Sequence, residues 1–399
     1  MHLAGVFRAL IQGMADIIPT EEERRLLSIL NDGWWQANAP ARGIKDTRIS
    51  DGKLTEAGIT CTVELVGKTT QEMLKSNISQ LRLLVAARDE HPVVVSPGGN
   101  ATKVQLAVRT RRVTDTFDMH WHPGVTSLGV DTVTGKEVHL PLHSQIQICG
   151  AKGSGKSWAM RPLMAAAYVN PMYEMVYIDP KMVEGVIWKD LIQTAVGSDE
   201  IPGIIDWVDE EMDRRARLMS ARGATVWDPK TMGPYLLVIV DEGRDTLSTL
   251  KLQEKQLNKM ARMSREEGAE DIDLTPGMLK LIRASSMGRA WGVFVWWATQ
   301  YPIVSANNNP GIDTNIDANA DYRFALRVAK DGHSRIALDA DADYAPHLIP
   351  ADENSRGHGY LGGHGPNLIR TWTVTDEMVR KLKDHPMIPA SAPLQPGKD

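Results

Sequence analysis

Two hydrophobic periods divide the chain. Between Ile59 and Leu65 the apolar residues Ile59, Cys61, Val63 and Leu65 alternate with Thr60, Thr62 and Glu64, the period of two that marks a strand buried on one face. Thr69 and Glu72 then cap a helix with Leu74, Ile78, Leu81 and Val85 along one side, and short strands follow at Val93 to Val95 and around Val104, Leu106 and Val108. This β-α-β-β order predicts a small α+β module. From Gln145 onward the pattern changes to unbroken apolar runs, at Ile146 to Cys149, Met175 to Ile178, Leu236 to Val240 and Val293 to Ala298. Helical stretches follow these runs, so they read as parallel strands buried on both faces, and the fold class is α/β.

Leu3, Val6, Phe7, Leu10, Ile11, Met14, Ile17 and Ile18 recur at helical spacing with Arg8, Gln12 and Asp16 between them, an amphipathic helix rather than a signal peptide. One Arg and one Asp give it no attraction to anionic lipid, so its apolar face suits packing on protein. Thr20 with Glu23 forms a capping box that opens a second helix, and the polar stretch Ala39 to Lys53 reads as a linker. The resulting division is an N-terminal helical segment over 1–38, the small α+β domain over 39–142, the α/β domain over 143–383 and a Pro-rich tail over 384–399.

Composition narrows the classes. The chain has 399 residues, 42% of them apolar and 24% charged, which excludes disordered, collagenous and disulfide-stapled proteins. No apolar run approaches the roughly 20 residues of a bilayer span. Two cysteines, Cys61 and Cys149, read as reduced thiols of a cytoplasmic protein. Lys and Arg number 45 against 50 Asp and Glu, a net charge of −5 that argues against a nonspecific nucleic-acid coat but leaves room for local basic patches.

The chemistry begins at Gly150-Ala151-Lys152-Gly153-Ser154-Gly155-Lys156-Ser157, followed by Trp158. This is G-x-x-x-x-G-K-[ST], placed after an apolar strand and before a helix, as a phosphate-binding loop requires. Its backbone N–H groups curl around the phosphates of ATP, Lys156 pairs the β- and γ-phosphates, and Ser157 holds Mg²⁺. The strand Leu236 to Val240 delivers Asp241 and Glu242, Asp241 placed for Mg²⁺ and Glu242 to polarise the attacking water. Gln300 ends the next strand, where a side chain reaches the γ-phosphate or that water.

Arg335, then Arg323 and Arg327, are candidates for an arginine inserted into a neighbouring subunit's site. Lys251, Lys255, Lys259, Arg262 and Arg265 share one helical face, and they suit either a DNA channel or a solvated surface. A second cluster, Lys103, Arg109, Arg111 and Arg112, lies on the small domain. His120-Trp121-His122 has no third ligand motif beside it.

In order along the chain, these residues resemble the FtsK/SpoIIIE family of DNA-pumping ATPases. Leu128-Gly129-Val130-Asp131 and Gly135-Lys136-Glu137-Val138 are similar to the family's lead-in to the phosphate loop. Asp179-Pro180-Lys181 with Glu184 is similar to its D-P-K-x-x-E element, and Glu211-Met212-Asp213-Arg214-Arg215 with Leu218-Met219 to its E-M-x-R-R-x-x-L-M helix. Gly288-Arg289-Ala290-Trp291-Gly292 leading to Ala298-Thr299-Gln300-Tyr301-Pro302, and Ser334-Arg335 with Leu338-Asp339, complete the likeness over roughly Ile59 to Val379. Tyr301 stands where the family has Arg, and Gly243 where it usually has a bulky apolar residue.

The resemblance implies a RecA-like P-loop NTPase with a central, mainly parallel sheet, forming a homo-oligomeric, hexameric ring that moves double-stranded DNA by ATP hydrolysis. With no winged-helix module and no membrane-spanning region, the chain is more like the soluble translocases of actinobacterial plasmid transfer, acting in the cytoplasm or held at the membrane by a partner of the N-terminal helices. The alternatives are a protein-secretion ATPase of the same superfamily and a non-pumping, ATP-controlled DNA-binding regulator.

Overall fold

The computed structural model describes residues 18–50, 52–264, 276–304 and 310–385, the side chains of 261–264 and 276 excepted. They fall into two compact units, one running to Phe117 and including Thr132–Gly135, the other comprising Asp118–Asp131 and the chain from Lys136 onward.

The first unit is built on an antiparallel sheet of β1 (Thr47–Ile49), β2 (Lys53–Thr55), β3 (Gly58–Leu65), β4 (Val93–Pro97) and β5 (Lys103–Val108), in the order β1-β3-β5-β4 with β2 also on β3. Cys61 pairs with Leu106 and Val63 with Val104, so the alternation seen in the sequence puts one apolar row inward. The helix expected after Thr69 starts one residue later. Thr70 accepts the Met73 N–H as its cap, and the element breaks at Asn77 into Gln71–Ser76 and Ile78–Val85. Thr69 instead donates to the Lys45 carbonyl.

The helices Glu21–Ile29 and Asp32–Asn38 do not form a segment apart from this module. Leu26, Leu30, Trp35 and Ala39 share one core with Ile59, Cys61, Val63 and Leu106, because the helices' apolar stripe and the sheet's apolar face must cover each other. The stretch expected as a linker contains β1, whose Thr47 accepts a hydrogen bond from the Trp35 indole at 2.9 Å. The helix proposed from Leu3 lies almost wholly outside the described residues, as does most of the Pro-rich tail.

Glu23 ties this unit together. It completes the capping box with Thr20, accepts from Thr110 Oγ1 at 2.6 Å, and takes Arg111 Nε and Nη2 at 2.7 and 2.6 Å. Arg111 is thereby committed to an internal ion pair rather than to a DNA-facing cluster. The Arg111 guanidinium holds the buried Glu23 carboxyl at about 2, below its ordinary 4.5, overcoming the burial that would raise it; Thr110 and the Thr20 amide assist.

The second unit carries a ten-stranded sheet. It comprises β6 (Ser127–Asp131), β7 (Glu137–His139), β8 (Ile146–Cys149), β9 (Tyr173–Asp179), β10 (Gln193–Val196), β11 (Tyr235–Val240), β12 (Val293–Thr299), β13 (Tyr322–Leu326), β14 (His358–Leu361) and β15 (Ile369–Thr371). The order is β10-β9-β11-β12-β8-β13-β14-β15-β6-β7. The six strands from β10 to β13 are parallel, and the four beyond them antiparallel. The expected parallel strands are all present and buried. The expected boundary at residue 142 moves, because β6 joins this sheet through β15, with Gly129 opposite Thr371.

Helices cover both faces, the pattern of an α/β fold. Ile201–Arg222 lays Ile204, Ile205, Val208 and Met212 on the core with Val238, Val240 and Val295. The E-M-x-R-R motif acts here: Arg215, 1% exposed, bonds Glu211 and Glu174 at 2.7 and 2.8 Å and lies over the Trp227 ring. Gly243 opens the helix Gly243–Ser264 directly against Trp297, whose indole atoms would lie 2.2–2.4 Å from any Cβ there. The space a side chain would take at Gly243 is filled by the Trp297 indole of the neighbouring strand.

Two outcomes follow from this packing. Glu23→Gln removes an interaction worth roughly 2–3 kcal/mol at neutral pH. It lowers the unfolding midpoint of the first unit there. The wild type gains its full stabilisation above pH 4.5 and loses it as pH falls through about 2, so urea titrations across that window show a pH dependence that the variant lacks. Gly243→Leu destabilises the second unit by about 1–3 kcal/mol through overpacking. Gly243→Leu with Trp297→Ala costs less than the two single losses summed, a coupling that thermal unfolding reads directly.

Candidate nucleotide site

The register of the parallel strands collects the candidate residues. Trp297 lies opposite Val240, Val240 opposite Ile178, and Thr299 opposite Cys149. The segments leaving β8, β9, β11 and β12 therefore emerge together at the carboxyl edge, where open α/β sheets bind ligands. They are the glycine loop Gly150–Ser157, the Asp179-Pro180-Lys181 turn, the Asp241–Glu242 pair and Gln300.

The loop closes as the sequence requires. Gly155 has φ +91° and caps the helix Lys156–Tyr168 with no side-chain hydrogen bond, so the first-turn amides stay available to an anion. The Ser154 hydroxyl is buried with no partner among the described residues. Ala151 N–H donates to the Arg327 carbonyl and Gly150 N–H to the Thr299 carbonyl, at 2.7 and 3.1 Å, fixing the base of the loop to its two neighbouring strands.

Lys156 and Ser157 converge on Asp241. Lys156 Nζ and Ser157 Oγ each donate to Asp241 Oδ1 at 2.9 Å, and Nζ also bonds the Asp241 carbonyl. Lys156 and Asp241 are both buried. A hydroxyl and a carboxylate sharing one point are hard oxygen donors of the kind Mg²⁺ takes, and the ammonium beside them is placed for phosphate oxygens. The donor set and the unpartnered Ser154 hydroxyl fit MgATP.

Glu242, 1% exposed, sits one residue on. Its Oε1 accepts from Thr299 Oγ1 and from the Gln300 N–H, both at 3.2 Å, and its Oε2 from Lys181 Nζ at 2.8 Å. Gln300 is thus beside Glu242, with its backbone as the direct contact. Burial, with the Asp241, Glu184 and Asp179 carboxylates nearby, pushes the Tyr177 phenol well above its ordinary value and keeps it neutral.

The D-P-K-x-x-E element has a clear structural basis. Asp179 accepts the N–H groups of Lys181, Val183 and Gly185 at 2.9, 2.7 and 2.8 Å. Glu184 takes Arg161 of the phosphate-loop helix in a bidentate pair at 2.6 and 2.9 Å. Burial works against the Arg161 charge, yet Glu184 and Asp376 hold its pKa above the usual arginine value. Trp158, exposed, stacks on the same guanidinium. The sequence marked this motif without assigning Lys181 a contact. It gave no signal for the loop Ser355-Arg356-Gly357, whose Gly357 N–H donates to the Ser154 carbonyl at 3.0 Å and closes the other side of the glycine loop.

The three arginine candidates separate. Arg323 is bound internally to Gln147, Asp317 and the Ile336 carbonyl, so it is not available to a neighbour. Arg327 donates to the Lys152 carbonyl at 2.9 Å and belongs to its own subunit's loop. Arg335, on the helix Asp331–Leu338, is exposed and makes no ion pair among the described residues. Of the basic face, Lys255 and Lys259 are exposed and Lys251 half-buried on Gly243–Ser264. The Arg262 side chain and the whole of Arg265 lie outside the described residues. Tyr301 carries Arg244 over its ring at 4.4 Å, so a guanidinium stands beside the position where the family has Arg.

The chain is similar to known proteins in sequence and in fold. The FtsK/SpoIIIE family model matches residues 107–342. Protein Tra of Streptomyces lividans is 34% identical over 322 residues, covering 80% of this chain and 50% of Tra. The DNA translocase FtsK of Helicobacter pylori is 27% identical over 303 residues, 71% of this chain and 31% of that protein. This chain therefore spans about half of Tra and about a third of FtsK. The pCW3 conjugation coupling protein TcpA, in its monomer form with ATPgS, has the same fold at a TM-score of 0.54 and 16% identity, over 92% of this chain and 99% of that one. With its P-loop, paired acids and ordered motifs on one sheet edge, and with the family model covering more than half its length, the chain belongs to the FtsK/SpoIIIE family.

Proposed function

We propose that this protein is an ATPase that moves double-stranded DNA as a homo-oligomeric, hexameric ring, its cargo being plasmid or other mobile DNA. The observation that carries the reading is the convergence of Lys156 and Ser157 on Asp241, one residue before Glu242. Mg²⁺ supplies charge neutralisation for the phosphates when bound, held by Ser157 and Asp241. Lys156 and the loop amides bind the β- and γ-phosphates, Ala151 to Trp158 forming the cradle. Glu242 orients the attacking water and takes its proton, and Gln300 lies at the same edge to sense the γ-phosphate.

Arg335 is assigned to the neighbouring subunit's site, because it alone of the three candidates is both exposed and without an ion pair among the described residues. DNA as substrate is supported by family membership and by relatives named as DNA translocases. The exposed Lys255 and Lys259, with Lys251, are assigned to phosphate contacts in the channel. Among the described residues no helix is long and apolar enough to cross a membrane. A partner of the N-terminal helices is the proposed route for any association with a membrane.

Steady-state ATP hydrolysis measured without DNA, with linear duplex and with single strands tests this. Duplex DNA stimulates hydrolysis, and the stimulation falls steeply with salt as phosphate contacts are screened. No stimulation by either DNA at low salt transfers the reading to a secretion motor or a regulator. Lys156→Ala reduces turnover by about 100-fold or more, the scale of losing a charge that stabilises the transition state. Arg335→Ala is also inactive alone. Mixing it with Lys156→Ala restores measurable hydrolysis, since one partner keeps the site and the other supplies the arginine. No recovery on mixing, or wild-type activity of Arg335→Ala, removes Arg335 from the site.

A further inference from the structure

Resting on the assignment of Glu242 to the attacking water, we infer that Lys181 is a positioning residue that holds Glu242 idle between turnovers and must leave it for hydrolysis to proceed. The three partners of Glu242 are not equivalent. Thr299 is fully buried at the end of β12, and the Gln300 N–H is backbone of the same strand end, so both hold Oε1 in place. Lys181 reaches Oε2 at 2.8 Å with its side chain 33% exposed, against 2% for Glu242. The partner able to move is therefore the one that covers the remaining oxygen.

That oxygen is the one a water must reach. A carboxylate oxygen already engaged by a buried hydroxyl and a backbone amide has spent its two lone pairs, whereas Oε2 has one left beside the ammonium. While Lys181 stays in contact, a water at Oε2 meets a cation that competes for the same electron density. Withdrawal of Lys181 exposes the base without altering its anchorage.

The backbone favours such a device. Lys181 is held at its N–H by Asp179 Oδ1, but the next residue, Met182, has φ +59°, a left-handed conformation that a residue with a Cβ adopts only under strain. Met182 and Val183 are 61% and 67% exposed. The tether ends at Glu184, clamped by Arg161 of the phosphate-loop helix, so the element carrying Lys181 is fixed to the glycine loop at one end and strained at its centre. The partly exposed lysine has solvent to withdraw into, and in this reading it leaves when duplex DNA is engaged rather than when nucleotide arrives.

The test compares wild type, Lys181→Met, Lys181→Arg and Glu242→Gln for ATP hydrolysis with and without duplex DNA, together with binding of a fluorescent ATP analogue. Wild-type turnover and its loss in Glu242→Gln establish the reading on which the inference rests; if Glu242→Gln hydrolyses normally, that reading fails independently of Lys181. The inference predicts that Lys181→Met raises DNA-independent kcat by about 3- to 10-fold, the scale of one charge-assisted hydrogen bond partly offset by solvent. The ratio of DNA-stimulated to basal rate falls accordingly, analogue affinity changes little, and Lys181→Arg keeps the wild-type ratio. A Lys181→Met protein that binds the analogue normally but hydrolyses more slowly, or keeps the wild-type stimulation ratio, overturns the inference. If the variant loses analogue binding, Lys181 is a phosphate ligand only, and the restraint is likewise refuted.

Discussion

Burial of both faces of four adjacent parallel strands sets their register, and everything at the nucleotide site hangs from that register. A parallel strand slipped by one residue would send every side chain to the opposite layer and break the packing on both faces, so Val240, Ile178, Trp297 and Cys149 have little freedom to move. Because they cannot slip, the residues just beyond them meet at one edge. Asp241 then lies 2.9 Å from both Lys156 and Ser157 although it is 85 residues away from Lys156 in the chain. The chemistry is a consequence of core packing, delivered at strand ends where the backbone is free to turn.

A second layer of polar contacts converts that edge into a defined site. Asp179 folds the turn after β9, Arg161 and Glu184 bind that turn to the phosphate-loop helix, and Thr299 with Gln300 seats Glu242. These groups are largely buried and bonded to one another, so their cost of desolvation is offset only in this arrangement. Removing one partner of the Arg161–Glu184 pair would leave a buried charge unmatched, a far larger loss than the pair's net contribution.

The strands of the ten-stranded sheet and its phosphate loop were legible because their signals are local: unbroken β-branched runs, and glycines at fixed spacing before Lys156. The pairing of β6 with β15 was not, since Gly129 and Thr371 are far apart in the chain and each strand is short. The packing of Glu21–Ile29 and Asp32–Asn38 onto the small sheet was missed for the same reason. Their apolar stripes show that something must cover them but not what. Arg323, Arg327 and Arg335 look alike in sequence, and only the positions of Asp317, Lys152 and solvent tell them apart. Lys181 was visible within a motif, while its contact with Glu242 depends on two strands arriving side by side.

Equilibrium binding of a fluorescent ATP analogue, with and without Mg²⁺, to the wild type and to Asp241→Asn tests the central claim most directly. The convergence of Lys156 and Ser157 on Asp241 predicts that Mg²⁺ tightens binding to the wild type by about 10-fold or more, the scale of one charge-assisted ligand at about 1.4 kcal/mol per tenfold. It also predicts that Asp241→Asn loses this Mg²⁺ dependence while still binding the analogue without metal. An unchanged Mg²⁺ dependence in Asp241→Asn would contradict the account, placing the metal and its phosphates somewhere other than this strand edge.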